Sequence, residues 1–291
     1  MLNVLVLGSS GMLGHVFSDY FKNKFQLHGT LKNSLKTYRN LSSTKINYFD
    51  NFDVLEENLS EKIIDDCNPH FIVNCIGITK QIANQSNKES INFINGEYPK
   101  IIEKLCKQKK TKLIQLSTDC VFSGKKGNYT EEDICDADDI YGVSKIKGEI
   151  KDSDSCLTLR KSTIGLEIKD KHGLIEWFLD QKEIDGYKNA IFSGLTSYEL
   201  ARVIEKIMID FPQLHGLYNV SSNPINKYDL LRNLSLLLRR EIKINPFEDF
   251  FCDRSLNSSR FIEKTGYNPP SWERMLIELS KKILERDETK K

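Results

Sequence analysis

Short apolar runs alternate with amphipathic segments along the first half of the chain. Near-continuous apolar runs occur at 2–7, 71–77 and 112–118, and apolar residues recur at helical spacing in 12–21 and 96–108. Apolar runs without polar alternation are typical of strands buried on both faces of a parallel sheet. The pattern therefore predicts an α/β fold with helices on both faces of the sheet, and it marks 25–31 and 45–50 as weaker strand candidates.

The regular alternation ends after a strand predicted at 156–162. Amphipathic helices follow at 198–209 and 227–239, and the stretch "GLYNVSS" predicts a strand, within 187–222, that returns to the main sheet or its margin. We therefore expect a main domain at 1–160, a smaller C-terminal lobe at 161–285 and a flexible tail at 286–291.

Composition and charge narrow the possible classes of function. Hydrophobic residues make up 39% and charged residues 29% of the chain, an ordinary globular balance. The net charge of +1 gives no global field that would attract nucleic acid or an anionic membrane. Seven scattered cysteines without a CxxC pair indicate reduced thiols. With neither a signal-peptide pattern nor a membrane-length apolar run, we expect a cytoplasmic protein without nucleic-acid or membrane partners.

Three glycines follow the first predicted strand in a GxxGxxG pattern: Gly8, Gly11 and Gly14. At this position glycine permits a sharp turn, close approach to a pyrophosphate, and anion binding by the amides of the next helix. The pattern predicts a dinucleotide site in a Rossmann-type, doubly wound sheet, and a tight turn without a ligand is the alternative. The candidate residues are Gly8, Ser10, Gly11, Met12, Leu13 and Gly14.

The end of the second predicted strand indicates which dinucleotide is bound. An acidic residue there would bind the ribose of NAD, but the sequence reads "HGTLKNS". Thr30 can donate a hydrogen bond and Lys32 can neutralise a phosphate, so NADPH is favoured and NADH is the alternative. A solvated surface lysine is the competing interpretation of Lys32. Asp50, at the end of the third strand, is a candidate for an adenine contact or for the cap of the following helix.

The stretch "DDIYGVSKIKGE" contains Tyr141 and Lys145 at a four-residue spacing. On a helix both side chains point to one face, and Thr118 ends a central strand at the edge where such sheets bind ligands. A threonine hydroxyl, a tyrosine and a lysine that lowers the tyrosine pKa can together stabilise the alkoxide formed when a ketone is reduced. Tyr20 and Lys24 share the spacing but lie at the far end of the first helix, so we interpret them as a chance pair.

These motifs carry a family resemblance. In order and spacing, "GSSGMLGH", "NCIG", "STDCVFSGKKGNYTEED", "YGVSK", "LRKSTIG" and "FSGLT" resemble the extended short-chain dehydrogenase/reductase superfamily, and within it the dTDP-4-dehydrorhamnose reductase group. The resemblance implies that the larger lobe binds NAD(P)H and the smaller lobe a nucleotide sugar. It also implies reduction of a nucleoside-diphosphate 4-keto-6-deoxy sugar, with the proton from Tyr141, and it is compatible with a homodimer and with no metal site.

The resemblance also assigns residues. The family's catalytic residues correspond to Thr118, Tyr141 and Lys145, and the resemblance implies that the last two also contact the cofactor. The family's loop near nicotinamide corresponds to Cys75, Ile76 and Gly77. The helix asparagine of extended members corresponds to Asn95. The candidate substrate contacts are Thr118, Asp119, Cys120, Val121, Trp177 and Thr196. Because Cys120 replaces an aromatic residue usual in rhamnose-forming members, dTDP-, UDP- and GDP-linked sugars all stay open.

Three positions, two of the substrate candidates and one arginine, each have a functional and a structural interpretation. Trp177 is either a stacking surface for the ligand or a packing residue, and Thr196 is either a ligand contact or a helix N-cap. Arg160 either meets a phosphate or pairs with a carboxylate. Two other functions also remain: a nucleotide-sugar epimerase or dehydratase that recycles bound NAD, and a non-catalytic NADP-binding regulatory subunit.

Overall fold

A computed structural model describes residues 1–38, 41, 44–56, 58–168 and 172–289. The strands are β1 (Asn3–Leu7), β2 (Gln26–Thr30), β3 (Ile46–Phe49), β4 (Phe71–Asn74), β5 (Lys112–Leu116), β6 (Cys156–Arg160), β7 (Thr163–Ile164), β8 (Glu183–Tyr187), β9 (Ala190–Phe192), β10 (Leu195–Thr196), β11 (Gly216–Asn219), β12 (Ile225–Asn226), β13 (Lys243–Phe247) and β14 (Cys252–Asp253). The helices are α1 (Met12–Phe21), α2 (Leu59–Cys67), α3 (Lys80–Ala83), α4 (Lys88–Asn92), α5 (Tyr98–Lys109), α6 (Ile140–Lys147), α7 (Leu174–Leu179), α8 (Ser197–Asp210), α9 (Lys227–Leu238), α10 (Ser259–Thr265) and α11 (Trp272–Thr289).

The chain folds into two compact units. The first comprises Met1–Thr118, Asp138–Arg160 and Ala201–Tyr218, and the second comprises Asp119–Ala137, Lys161–Leu200 and Asn219–Lys291. The predicted tail at 286–291 is helical as far as Thr289, and residues 290 and 291 lie outside the described residues.

A seven-stranded sheet organises the first unit, with the order β11-β6-β5-β4-β1-β2-β3. The pairings β3/β2, β2/β1, β1/β4, β4/β5 and β5/β6 are all parallel. Sequence order reverses between β1 and β4, which is the switch point of a doubly wound sheet. The predicted Rossmann-type α/β fold is therefore confirmed, as are the weaker strand candidates at β2 and β3 and the returning strand at β11.

One hydrophobic core lies where α2 and α5 cover the sheet. Its members come from strands β1, β4, β5 and β6, from these two helices and from the loop after β3: Leu5, Leu7, Phe52, Ile63, Ile64, Cys67, Ile72, Tyr98, Ile102, Cys106, Leu113 and Cys156. Burial of this apolar surface stabilises the sheet edge at which the strands end and the loops begin.

The second unit contains small sheets and packed helices. Its sheets have the orders β10-β7, β12-β9-β14 and β13-β8, and α9 packs on α11. The ring centroids of Phe192 and Trp272 are 5.3 Å apart, and the rings of Phe122 and Tyr129 stack at 4.0 Å. Across the described parts of both units, no helix combines the length and the apolar character that a membrane span requires.

Candidate active site

The turn between β1 and α1 is built from glycine. Gly8 has φ +80°, in the left-handed region that favours glycine. A Cβ added at Gly14 would lie 2.1 Å from the Gly8 carbonyl oxygen, so α1 packs directly on the turn. The first helical hydrogen bond runs from His15 N to Gly11 O. The N–H groups of 12–14 therefore have no acceptor within α1 and are the groups that bind anions at a helix N-terminus.

A pocket lies at the carboxyl ends of β1, β2, β3 and β4. It is lined by Gly8, Ser10, Gly11, Thr30, Lys32, Phe52, Asp53, Val54, Cys75, Ile76 and Gly77. The pocket includes the switch point between β1 and β4, where doubly wound sheets bind their ligands. Most of the sequence-predicted cofactor residues thus share one concave surface.

Thr30 holds the glycine turn. Its side chain is fully buried, its hydroxyl accepts a hydrogen bond from Gly8 N at 2.9 Å, and its carbonyl accepts one from Ser9 N at 2.9 Å. Lys32 is exposed at the pocket margin. Of the two residues predicted to meet a cofactor phosphate, Lys32 is therefore the one with a charged side chain at the surface.

Asp50 stabilises a turn and does not cap a helix. Its Oδ2 accepts a hydrogen bond at 3.0 Å from Leu35 N, in the 3-10 turn after β2. The N-cap residue of α2 is Asn58. The interpretation of Asp50 as the cap of the following helix is therefore wrong.

Phe52, Asp53 and Val54 line the pocket, although the sequence analysis did not name them. Asp53 Oδ1 accepts a hydrogen bond from Leu55 N at 3.0 Å, which fixes the carboxylate at the start of this turn. The signal that could have found them is their place just beyond the third strand, at the carboxyl edge of the sheet.

Helix α6 carries the tyrosine and lysine of the candidate catalytic set. It begins after Asp139, whose Oδ1 accepts a hydrogen bond from Gly142 N at 2.9 Å, an N-cap contact. Tyr141 is half-buried, and Lys145, one turn later, is 7% exposed. The ammonium of Lys145 donates to the carbonyl of Leu116 at 2.7 Å. This contact holds the lysine against the carboxyl end of β5.

Asn95 links α6 to the loop after β4. Its Nδ2 donates to Ile78 O and to Ser144 Oγ, both at 3.0 Å, and its Oδ1 accepts from Ile78 N at 2.9 Å. Ser144 Oγ in turn donates to Tyr141 O at 2.7 Å. A Cβ added at Gly148 would lie 2.0 Å from Asn95 O, so the two segments approach closely. The predicted helix asparagine therefore orients the segment that carries Tyr141.

A buried ion pair connects the end of α6 to β5 and β6. Arg160 donates to Glu149 through Nε at 2.7 Å and Nη2 at 2.8 Å, and both side chains are fully buried. Ser117 Oγ donates to the same carboxylate at 2.8 Å. The interpretation of Arg160 as the partner of a carboxylate is confirmed.

The end of β5 thus combines three kinds of chemistry in the first unit. Thr118, 5% exposed, follows Ser117 and supplies a hydroxyl. Tyr141 supplies a phenol and Lys145 a held positive charge on the adjoining helix. A hydroxyl donor, a proton donor and a cation are the groups that stabilise an oxyanion during carbonyl reduction.

Asp119, Cys120 and Val121 form a 3-10 turn in the second unit. Asp119 N donates to Lys161 O at 3.1 Å, and Ala137 N donates to Val121 O at 3.1 Å. Val121 is fully buried, so its side chain belongs to the core and not to a ligand surface. Asp119 is mostly buried and Cys120 partly exposed.

Two further substrate candidates lie elsewhere in the second unit. Thr196 is buried, and its Oγ1 accepts a hydrogen bond from Glu199 N at 3.4 Å in the first turn of α8, so the N-cap interpretation is confirmed. Trp177 is 42% exposed on α7, so it is not a core residue. Ligand stacking and packing outside the core both stay predictions.

Lys227 was missed by the sequence analysis. It is the first residue of α9, and its ammonium lies 3.4 Å from the ring centroid of Phe192. Burial lowers the pKa of Lys227 to about 8, while the charges of Asp119, Cys120 and Cys252 act in the opposite direction. No local motif marks this lysine, because strands distant in sequence bring its surroundings together.

Comparison with known proteins places these features in a family. Residues 2–164 match the family model described as RmlD substrate binding domain. The β subunit of methionine adenosyltransferase 2 from Bos taurus is 27% identical over 147 residues, which are 50% of this chain and 41% of that protein. The chain thus spans about two fifths of the length of such relatives. The dTDP-4-dehydrorhamnose reductase of Aggregatibacter actinomycetemcomitans is 26% identical over 197 residues, 62% of this chain and 65% of that protein.

A solved structure shows a similar fold over nearly the whole chain. The dTDP-4-dehydrorhamnose reductase of Bacillus anthracis, in complex with NADP, has a TM-score of 0.73 and 20% sequence identity. The similarity covers 96% of this chain and 98% of that one. At this identity the similarity concerns the fold alone.

Proposed function

The chain belongs to the RmlD substrate binding domain family, and from that premise we propose that it is an NADPH-dependent reductase. Its proposed substrate is a nucleoside-diphosphate 4-keto-6-deoxy sugar, and the reaction converts the 4-keto group to a hydroxyl. NADH is the alternative cofactor.

The observation that carries this proposal is the placement of Tyr141 and Lys145. Both lie on α6, and the buried Lys145 ammonium is held at 2.7 Å on the carbonyl of Leu116, two residues before Thr118. These groups stand at the carboxyl edge of the sheet that also bears the glycine-lined pocket. An oxidoreductase needs such a nucleotide pocket and proton donor at one edge.

The pocket residues fit a dinucleotide. A Cβ at Gly8 would lie 2.9 Å from Ile76 Cγ1, so a side chain there would intrude into the lining. The amides at the start of α1 suit a pyrophosphate, and Lys32 suits a ribose phosphate. Asp53 is suited to accept a hydrogen bond from an adenine amino group.

In the proposed reaction the chain's own groups act on the carbonyl oxygen, and bound NADPH supplies the hydride to the carbonyl carbon. The Thr118 hydroxyl donates a hydrogen bond to that oxygen and orients it. The Tyr141 hydroxyl transfers its proton to the oxygen as negative charge develops. The Lys145 cation stabilises the negative charge that Tyr141 then carries, until solvent returns a proton.

A second candidate function is a non-catalytic regulatory subunit that binds NADP. It is favoured by the match to the methionine adenosyltransferase 2 β subunit. It requires the pocket but not the chemistry of Tyr141. An epimerase or dehydratase that recycles NAD is less well supported, because β2 ends in Thr30 where an NAD-binding chain would carry an acid.

The test is the loss of NADPH absorbance with a panel of dTDP-, UDP- and GDP-linked 4-keto-6-deoxy sugars. We expect turnover with one nucleotide series, faster with NADPH than with NADH, and about 10²–10⁴-fold slower in Tyr141→Phe. Tyr141→Phe should bind NADPH as the wild type does, since the phenyl ring is kept. NADPH binding without reduction of any sugar would refute the reductase and favour the regulatory subunit.

A further inference from the structure

Lys227 has a defined setting within the second unit. Strand β12 pairs with β9 through Ile225 and Phe192, and β14 pairs with the other edge of β9 through Cys252 and Ala190. Lys227 follows β12 directly and begins α9. The three short strands therefore bring the lysine, the Phe192 ring and Cys252 into one neighbourhood.

No described residue forms a hydrogen bond with the ammonium of Lys227. It lies 3.4 Å from the Phe192 ring centroid, a cation–π contact that fixes its position. Within the described residues Lys227 makes no side-chain hydrogen bond and no ion pair, so its three N–H donors remain available. The side chain is half-buried, which keeps the site open to a ligand. A buried charge without a partner raises the free energy of the folded state, and a bound anion would reduce that cost.

The electrostatics of the site favour an added anion. Burial lowers the pKa of Lys227 to about 8 even though the charges of Asp119, Cys120 and Cys252 raise it in part. Lys227 also occupies the first position of a twelve-residue helix, where the helix dipole favours negative charge and opposes a cation. Asp229 in the same turn is engaged by Asn226, whose Oδ1 and Nδ2 contact Asp229 N and Oδ2 at 2.7 Å each.

We propose that Lys227 binds an anionic oxygen group, phosphoryl or carboxylate, of the ligand held by the second unit. The inference rests on the proposed function for the ligand class, a sugar nucleotide. Two parts of a sugar nucleotide can supply an anionic oxygen group: the diphosphate, which every sugar nucleotide has, and the carboxylate of an acidic sugar. Asp119 and Cys120, whose charges act on Lys227, are the residues that follow Thr118 in the chain.

Other lysines of the second unit provide matched controls. Lys243 pairs with Glu183 at 2.7 Å and is well exposed, and Lys188 pairs with Glu248 at 2.9 Å. Both already have a carboxylate partner and have no need of a ligand. Lys243→Met therefore removes the same charge, and shortens the side chain by the same amount, at the surface of the same unit.

The experiment is calorimetric titration of the full chain with uridine, UDP, UDP-glucose and UDP-glucuronate, and with the pairs thymidine and dTDP, and guanosine and GDP. Wild type, Lys227→Met, Lys227→Gln and Lys243→Met are compared at pH 7. We expect both Lys227 variants to lose about tenfold or more in affinity for the anionic probe, as for a charge-assisted hydrogen bond. Lys243→Met should stay within about twofold. Urea unfolding of each variant identifies any that fail to fold.

The probes separate the two sources of the anion. Loss of affinity for UDP, dTDP or GDP, but not for the nucleosides, assigns Lys227 to the diphosphate. Loss confined to UDP-glucuronate assigns it to a sugar carboxylate. Equal loss for nucleosides and nucleotides, no loss for any probe, or a folded wild-type chain that binds none of them overturns the proposal.

A pH series adds a second readout. The lysine must be protonated to bind an anion, so wild-type affinity should fall as pH rises from 7 through about 8 and beyond. Lys227→Met should lack this fall, because it removes the ammonium and keeps the neighbouring charged or titratable groups Asp119, Cys120, Cys252 and Asp229. If both proteins show the same pH dependence, Lys227 does not bind the anion. Nucleotide binding through Lys227 without NADPH turnover would refute the reductase and leave this inference standing.

Discussion

Two tyrosine–lysine pairs share a four-residue spacing in the first unit, but their surroundings differ. Lys145 is buried, and its ammonium donates to the Leu116 carbonyl at the carboxyl end of β5. Lys24 is partly exposed, and its ammonium contacts the Glu205 carboxylate at 2.7 Å. Tyr20 OH donates to the same carboxylate at 2.6 Å.

The contrast teaches that the partner of the lysine distinguishes a candidate catalytic pair from a chance pair better than the four-residue spacing does. Burial, and then the hydrogen bond to Glu205, raise the pKa of Tyr20, which disfavours the phenolate. A tyrosine that must give up its proton needs the opposite environment. Tyr20 also lies near the end of α1, which leads away from the carboxyl edge of the sheet, whereas α6 adjoins β5 at that edge.

The largest expected effect separates the two tyrosines directly. Tyr141→Phe should lower kcat for keto-sugar reduction by about 10²–10⁴-fold, because the general acid is removed. Tyr20→Phe should leave kcat within about twofold, since it removes only the contacts of the hydroxyl with Glu205 and Lys24, away from the carboxyl edge of the sheet. Steady-state NADPH oxidation by the two variants decides the matter. Equal losses of kcat in the two variants would mean that Tyr141 has no greater role in the reduction than Tyr20.

The carboxylates near the two tyrosine–lysine pairs also differ in burial, so we expect their removal to cost different amounts of stability. Glu149→Gln leaves the fully buried Arg160 without its counter-ion and should lower the free energy of unfolding by about 3–5 kcal/mol. Glu205→Gln disrupts a partly exposed pair and should cost less than about 1 kcal/mol. Urea unfolding monitored by circular dichroism measures both.

A double variant tests the explanation for the larger loss. Glu149→Leu combined with Arg160→Met removes both buried charges and should recover much of the stability lost in Glu149→Gln. If Glu149→Gln and Glu205→Gln were equally mild, the buried pair would not be what holds α6 to β5 and β6.

The sheet and its glycine turn could be predicted from the sequence because their signals are local. Apolar runs mark β1, β4 and β5, and the positive φ of Gly8 requires the residue type that the motif shows. The tyrosine and lysine of α6 could be predicted for the same reason, since one helical turn fixes their common face.

The rest of the site depends on contacts that no local pattern encodes. Asp50 and Asp53 are three residues apart in one loop, and only the turn geometry puts Asp53 in the pocket and Asp50 on Leu35 N. Lys227 depends on the pairing of β12 and β14 with β9, strands of two or three residues. Strands this short carry too few residues for a period-two pattern.

The smallest expected effect is a titration of Tyr20. Its folded-state pKa is raised above the usual value of about 10, so it contributes stability that is present below pH 10 and lost as pH rises through the folded pKa. Glu205→Gln removes a cause that raises the pKa and should shift the phenolate absorbance titration of Tyr20 to lower pH; burial, the largest cause, remains. Subtracting the titration of Tyr20→Phe in each background isolates the residue. If Glu205→Gln left the Tyr20 titration in place, Glu205 would not be what separates this tyrosine from Tyr141, and position in the fold alone would have to account for the contrast.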